Sequence, residues 1–148
     1  VIALKQPALA VGAVIFNPED KILLLRQQKW NDEYVIPGGH VEWGERLEDA
    51  LRREISEETG LEIYDIKLLA LKENVSGLGY HEKKHFILLD YVCRTDSFTV
   101  TLDEETQAYA WVGLDELDNY KLNQFTRSLL LEMEDRESPK RVEILYDY

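Results

Sequence analysis

Three glutamates fall where a helix ought to be apolar. The stretch from about Glu45 to Glu58, "ERLEDALRREISEE", reads as a helix closed by Gly60 at a C′-like position. With Leu47 at zero and about 100° per residue, Leu51 falls near 40°, Ile55 near 80° and Ala50 near 300°. That arc must face a core. Glu54 at about 340° and Glu58 at about 20° lie inside it, and Glu57 at about 280° borders it. Arg52, Asp49, Ser56 and Glu45 take the opposite side. Carboxylates turned inward repel one another and lose hydration, so the fold must bring positive charge to them. A hard divalent cation with oxygen ligands, Mg²⁺ or else Mn²⁺, meets that need. Neither Cys nor His stands in the cluster, so zinc suits it poorly. The competing reading is a solvated face neutralised by Arg52 or Arg53.

The rest of the chain supplies strands. "LAVGAVIF" (Leu9 to Phe16) reads as a buried strand, "NPEDK" as a turn and "ILLLRQ" (Ile22 to Gln27) as the answering strand of a hairpin. "YVI" is a short strand stopped by Pro37, Gly38 and Gly39. "IYDIKLLALKENV" and "KHFILLDYVCR" form two more, joined by a turn around "SGLGY". "FTVTL" (Phe98 to Leu102) and "AYAWVGL" add β-branched and aromatic strand signal. "LDEL" is a helical turn, and "QFTRSLLLEMEDR" is a last helix with Phe125, Leu129 and Met133 at i, i+4, i+8. The tail "SPKRVEILYDY" suits an edge strand, a partner contact or a disordered end. This order predicts a mixed sheet covered on both faces, an α/β/α sandwich.

Length and charge narrow the function classes. The 148 residues fit one domain, spanning 1–148, with no repeat or low-complexity linker. A net charge of −12 argues against a nucleic-acid partner held on a basic face. An acidic protein can still bind anionic phosphates when a divalent cation stands between them. No apolar run approaches the roughly 20 residues that span a bilayer, so no membrane partner is expected. The opening "VIALKQPALAVGAVIF" lacks a basic n-region and a small-residue cleavage site, and no secretory signal is expected from it. Cys93 is the only cysteine, which excludes an intrachain disulfide and suits a cytoplasmic location. A homodimer is left open.

The glutamate stretch resembles the Nudix hydrolase box at every defining position. Gly39 is followed after five residues by Glu45, then after seven by Arg53, Glu54 and Ile55; Glu57, Glu58, Gly60 and Leu61 complete it. The resemblance implies a Nudix-type α/β/α sandwich and metal-dependent hydrolysis of a nucleoside diphosphate linked to another moiety. Carried over by position, it implies that Glu57 and Glu58 are the main metal ligands. Glu54 becomes a further ligand or the base that orients water, and the Gly38 carbonyl another ligand. Arg53 and Glu45 become a supporting pair that orients the carboxylates. It further implies an acid from a loop before the last core strand, where "LDEETQAYAW" offers Glu104 and Glu105; Glu105, six residues before Trp111, is the expected metal ligand and catalytic residue.

Arg26, ending the second strand near the glycine pair, is a candidate phosphate contact, set against an ordinary surface arginine. His40, His81 and His85 carry little signal. Subfamily markers for ADP-ribose, coenzyme A and NADH are absent; Val75 and Ser76 stand where the ADP-ribose type has proline. "EETQAYAWVGLDELDNYKLNQFTRSLL" is similar to the matching segment of bacterial Nudix nucleoside triphosphatases, including Tyr120, Leu122, Asn123, Thr126 and Arg127. That likeness implies a small-molecule nucleotide substrate, cleavage of (deoxy)nucleoside triphosphates to monophosphate and pyrophosphate, and Asn123 at the base. Asn directly before "QFTRSLLLEM" is equally a favoured N-cap. The runner-up is an ADP-ribose or nucleotide-sugar pyrophosphatase, and a non-catalytic nucleotide-binding domain is the remote third reading.

Overall fold

A computed structural model of the chain describes residues 5–134. Among these residues seven strands run as β1 (Ala8–Phe16), β2 (Ile22–Gln27), β3 (Glu33–Val35), β4 (Gly38–His40), β5 (Tyr64–Asn74), β6 (Phe86–Arg94) and β7 (Thr106–Val112). Two α-helices join them, α1 (Leu47–Thr59) and α2 (Gln124–Glu134), with 3₁₀ turns at Gln28–Trp30 and Leu114–Asn119. The sheet is ordered β3-β2-β1-β6-β5, with β4 added against β1 and β7 against β2. It is mixed, as expected: β1 and β6 are parallel from Ala8↔Phe86 to Phe16↔Arg94, and the other pairs are antiparallel.

Period-two alternation divides the apolar residues between two cores. Val11, Ala13, Ile15, Leu23, Leu25, Tyr91 and Cys93 pack on Ala50, Leu51 and Ile55 of α1. Val14, Ile22 and Leu24 turn the other way and meet Leu117, Leu129 and Leu130. Helices therefore cover both faces, which is the α/β/α sandwich. The β1–β2 turn is fixed by Asn17, whose Oδ1 accepts from the Glu19 and Lys21 amides at 2.9 and 3.0 Å. Gly60 closes α1 in the left-handed region at φ 72°, its N–H donating to the Ser56 carbonyl at 2.9 Å.

Three local expectations need correction. Helix α1 starts at Leu47, and Glu45 lies in the turn before it, its N–H donating to the Glu42 carbonyl at 3.0 Å. The glycine pair does not end extended structure but forms β4, pairing Gly38 with Gly12 and Gly39 with Val11. A Cβ on Gly38 would lie 2.1 Å from the Val11 carbonyl oxygen, so only a bare α-carbon allows this approach. The stretch Phe98 to Leu102 is not a strand. Val100 and Leu102 pack on the α1-side core, and the Thr101 N–H donates to the Thr59 carbonyl at 2.9 Å, so the segment crosses the end of α1. The expectation for "SPKRVEILYDY" falls outside the described residues. Among those residues no helix is long and apolar enough to cross a membrane.

Candidate active site

Glu58 is the most deeply placed acid of α1, only 4% exposed. Its Oε1 accepts from the Gly38 N–H at 2.8 Å and its Oε2 from Gln27 Nε2 at 2.7 Å, so β4 and β2 each supply one donor. The Gln27 amide also donates to Thr106 Oγ1 at 3.1 Å, and that hydroxyl donates to Asp103 at 3.1 Å. Burial pushes the Glu58 carboxyl up to about 7, against the pull of the Gly38 and Gln27 hydrogen bonds and the Lys29 charge. A buried carboxylate with two neutral donors is short of positive charge.

Glu54 lies one turn earlier and rests against the second glycine. A Cβ on Gly39 would stand 2.2 Å from the Glu54 carboxyl carbon, so the bare α-carbon is what admits the acid. Burial raises Glu54 as well, with Arg53 opposing it. Glu57, expected at the border of the apolar arc, has a side chain 59% exposed. Arg53 binds these acids together. Its Nε and Nη2 donate to the two oxygens of Glu45 at 2.7 and 2.9 Å, a bidentate pair. Its Nη1 reaches Glu54 at 2.9 Å and Glu57 at 3.3 Å, while Nη2 also donates to the His40 carbonyl at 3.0 Å. The Arg53 guanidinium holds the Glu45 carboxyl down at about 2.

Among the described residues no three His, Cys, Asp or Glu side chains already converge on an ion position. The donor chemistry nonetheless fits a hard cation: every acid here offers oxygen, Glu58 is buried without a matching charge, and Glu57 is open to solvent. Glu105, just before β7, is exposed and pairs with Lys29 Nζ at 2.9 Å. At Gly38 it is the N–H, rather than the carbonyl, that meets a box carboxylate. Arg26 is exposed and alternates with Leu25 and Gln27, which places it on the face away from α1 and not with the carboxylates.

A cavity of about 110 Å³ opens on the α2 face, and β4 forms its shared wall with the acids: Gly38, Gly39, His40, Gln27 and Lys29 all line it. Asn123 also lines it, 2% exposed. The Asn123 Oδ1 accepts from the Phe125 N–H at 2.9 Å, capping α2. Its Nδ2 is buried without a hydrogen-bond partner. Tyr80 and Phe86 put aromatic rings on the wall, with centroids 5.1 Å apart and nearly perpendicular. Gln27, Lys29, Asp103 and Asp90 were not singled out from the sequence. Two left a signal there: Gln27 is a polar residue at an inward position of β2, and Asp90 is an acid inside an apolar strand.

The Nudix domain family model matches residues 6–133. The chain belongs to the Nudix family. Its Nudix domain is 36% identical over 104 residues to nucleoside triphosphatase NudI of Escherichia coli, covering 66% of this chain and 74% of that one. Among solved structures, a MutT Nudix hydrolase from Burkholderia pseudomallei superposes with a TM-score of 0.74 at 29% identity, over 86% of this chain and 98% of that one. The Nudix domain of Shewanella oneidensis NrtR, solved with ADP-ribose, superposes at 0.76 with 20% identity and 91% of each chain covered, a likeness of fold alone. This Nudix protein is a hydrolase on the strength of that membership.

Proposed function

We propose that this Nudix hydrolase converts nucleoside or deoxynucleoside triphosphates to the monophosphate and pyrophosphate, using Mg²⁺, with Mn²⁺ as a substitute. The observation that carries the reading is the sharing of β4 between the acids and a cavity that Asn123, with its unpaired Nδ2, also lines. A nucleotide laid across β4 has its base toward Asn123 and its phosphates toward α1. Relatedness to a nucleoside triphosphatase supports the substrate class.

Glu54, Glu57 and Glu58, with Glu105 and the Gly38 carbonyl, are the groups that would hold the cation. Once bound it supplies charge that screens the phosphate oxygens and acidifies a water. The chain's own residues do the rest. Gln27 and the Gly38 N–H fix the Glu58 carboxylate, so its orientation is set before substrate arrives. Arg53 spans Glu45, Glu54 and Glu57 and sets their spacing. Lys29 brings an ammonium to the cavity rim beside Glu105, where it can meet phosphate. Glu54, raised by burial, is suited to take the proton of the attacking water. Water adds to the α or β phosphorus, the bond from that phosphorus to the α–β bridging oxygen breaks with its electron pair going to that oxygen, and the products are monophosphate and pyrophosphate.

The test is a panel of triphosphates, ADP-ribose and nucleotide sugars with Mg²⁺, with the first product identified. Monophosphate and pyrophosphate from a triphosphate support the reading. Orthophosphate as first product overturns it, and so does a strong preference for ADP-ribose.

A further inference from the structure

We propose that Asp90 is a specificity residue of this enzyme, accepting a hydrogen bond from an N–H on the nucleobase edge while Asn123 Nδ2 donates to the adjoining acceptor. The inference rests on the triphosphatase reading above and names the second half of its base site.

Asp90 is the single acid in β6, within "FILLDYVCR", and is 5% exposed. Its neighbours Tyr91 and Cys93 show the alternation: Tyr91 packs in the α1-side core, so Asp90 faces α2 and the cavity, which it lines. A buried structural aspartate normally accepts several hydrogen bonds from backbone or side chains. Asp90 accepts none from the described residues. Among the described residues its one charged neighbour is Lys72, on the diagonal of the β5–β6 ladder, where Ala70 pairs with Asp90 and Lys72 with Leu88. The Lys72 ammonium is committed elsewhere, donating to the Phe125 carbonyl at 2.7 Å. Gly12 on β1 leaves the acid its room, since a Cβ there would lie 2.8 Å from Asp90 Oδ1.

Two polar groups of opposite character thus line one cavity, Asn123 Nδ2 without a partner and Asp90 bonded to none of the described residues. Asn123 Nδ2 can only donate, and ionised Asp90 can only accept. Burial lifts the Asp90 carboxyl to about 6 against the Lys72 charge, so at assay pH near 8 it is an acceptor. An apolar ligand would leave both groups unpaired, and a phosphate would meet a carboxylate. A nucleobase edge, with an N–H beside a carbonyl or ring nitrogen, satisfies both, and the Tyr80 and Phe86 rings offer it an apolar wall.

Two experiments test this. In the first, kcat/KM is measured for wild type and Asp90→Asn on the four common triphosphates, with a melting curve for each. The amide keeps the shape but mixes donor and acceptor, and the preference for the best base over the worst should fall by about 10- to 100-fold. A folded variant with an unchanged ranking overturns the assignment. The second uses wild type alone, so it stands even if the variant does not fold. The preferred triphosphate is compared with its analogue methylated at the Watson–Crick-edge nitrogen that carries hydrogen. Loss of about tenfold or more is expected, and equal rates overturn the role of Asp90. Wild type that cleaves no triphosphate at all would instead overturn the parent reading, so the two failures are distinct.

Discussion

Glu58→Gln should make the metal-free protein more stable while removing its activity. Burial moves the Glu58 carboxyl from its ordinary 4.5 to about 7, and each unit is worth about 1.4 kcal/mol, so the ionised side chain costs the fold about 3 kcal/mol. The native state binds this proton more tightly than the unfolded chain. Stability is therefore highest below about 4.5 and declines as pH rises toward about 7. Glutamine carries no such charge. It keeps one acceptor oxygen, but its NH₂ must face either the Gly38 N–H or the Gln27 amide, which forfeits one buried hydrogen bond at about 1 kcal/mol. The balance favours the variant by about 2 kcal/mol at pH 8 in a chelator, and the advantage should vanish near pH 5. Saturating Mg²⁺ should reverse the order, because an ion that binds only the folded wild type stabilises it. Urea melts at both pH values, with chelator and with Mg²⁺, read all of this. A variant that trails wild type by the same margin at pH 5 and pH 8 would refute the charge argument, and near-normal turnover would remove Glu58 from the site.

Other perturbations separate roles within the same region. Gly39→Ala drives a methyl into the Glu54 carboxyl group; turnover should fall by about 100-fold with a small change in melting temperature, checked by steady-state rates beside a thermal scan. Arg53→Lys retains charge but cannot serve Glu45 with two nitrogens and Glu54 with a third, so kcat should drop more than KM rises, and an unchanged kcat would leave Arg53 a surface brace. Asn123→Ala removes the α2 cap at about 1 kcal/mol, visible as a lower melting temperature. If the free Nδ2 reads the base, the same variant also flattens the ranking of four triphosphates; a lower melting point with the ranking intact would make Asn123 a cap alone.

What the sequence carried, and what it did not, follows from the range of the interactions. The bounds of β2 and the glycine stop of α1 were legible because each depends on nearby residues: an apolar run between turns, and a left-handed cap. The inward placement of Glu54 and Glu58 followed from helical period alone. Strand β4 was missed because Pro-Gly-Gly is locally a breaker, and only the close approach of β1 makes glycine the residue a strand needs there. Phe98 to Leu102 misled in the opposite sense. Its β-branched alternation was real, but Val100 and Leu102 bury their side chains over α1 without a ladder partner. The chain from Asp103 through Thr106 and Gln27 to Glu58 joins residues far apart in sequence, and no periodicity reports it.

The parallel pairing of β1 with β6 has a consequence for how the enzyme comes into being. Ala8 meets Phe86, and both β4 and α1, which carry the acid cluster, lie in the stretch of chain that this contact closes. During synthesis, α1 emerges with acids on its apolar side and with only half of its supporting sheet in existence. Tyr91 and Cys93, which complete the surface beneath it, follow only with β6. Pairing across so long a loop carries its entropic cost before it returns any contact, which slows the formation of the sheet centre. The site's acids gain the full support of the α1-side core only when β6 pairs with β1, so a chain that ends before Phe86 lacks the Tyr91 and Cys93 part of that core.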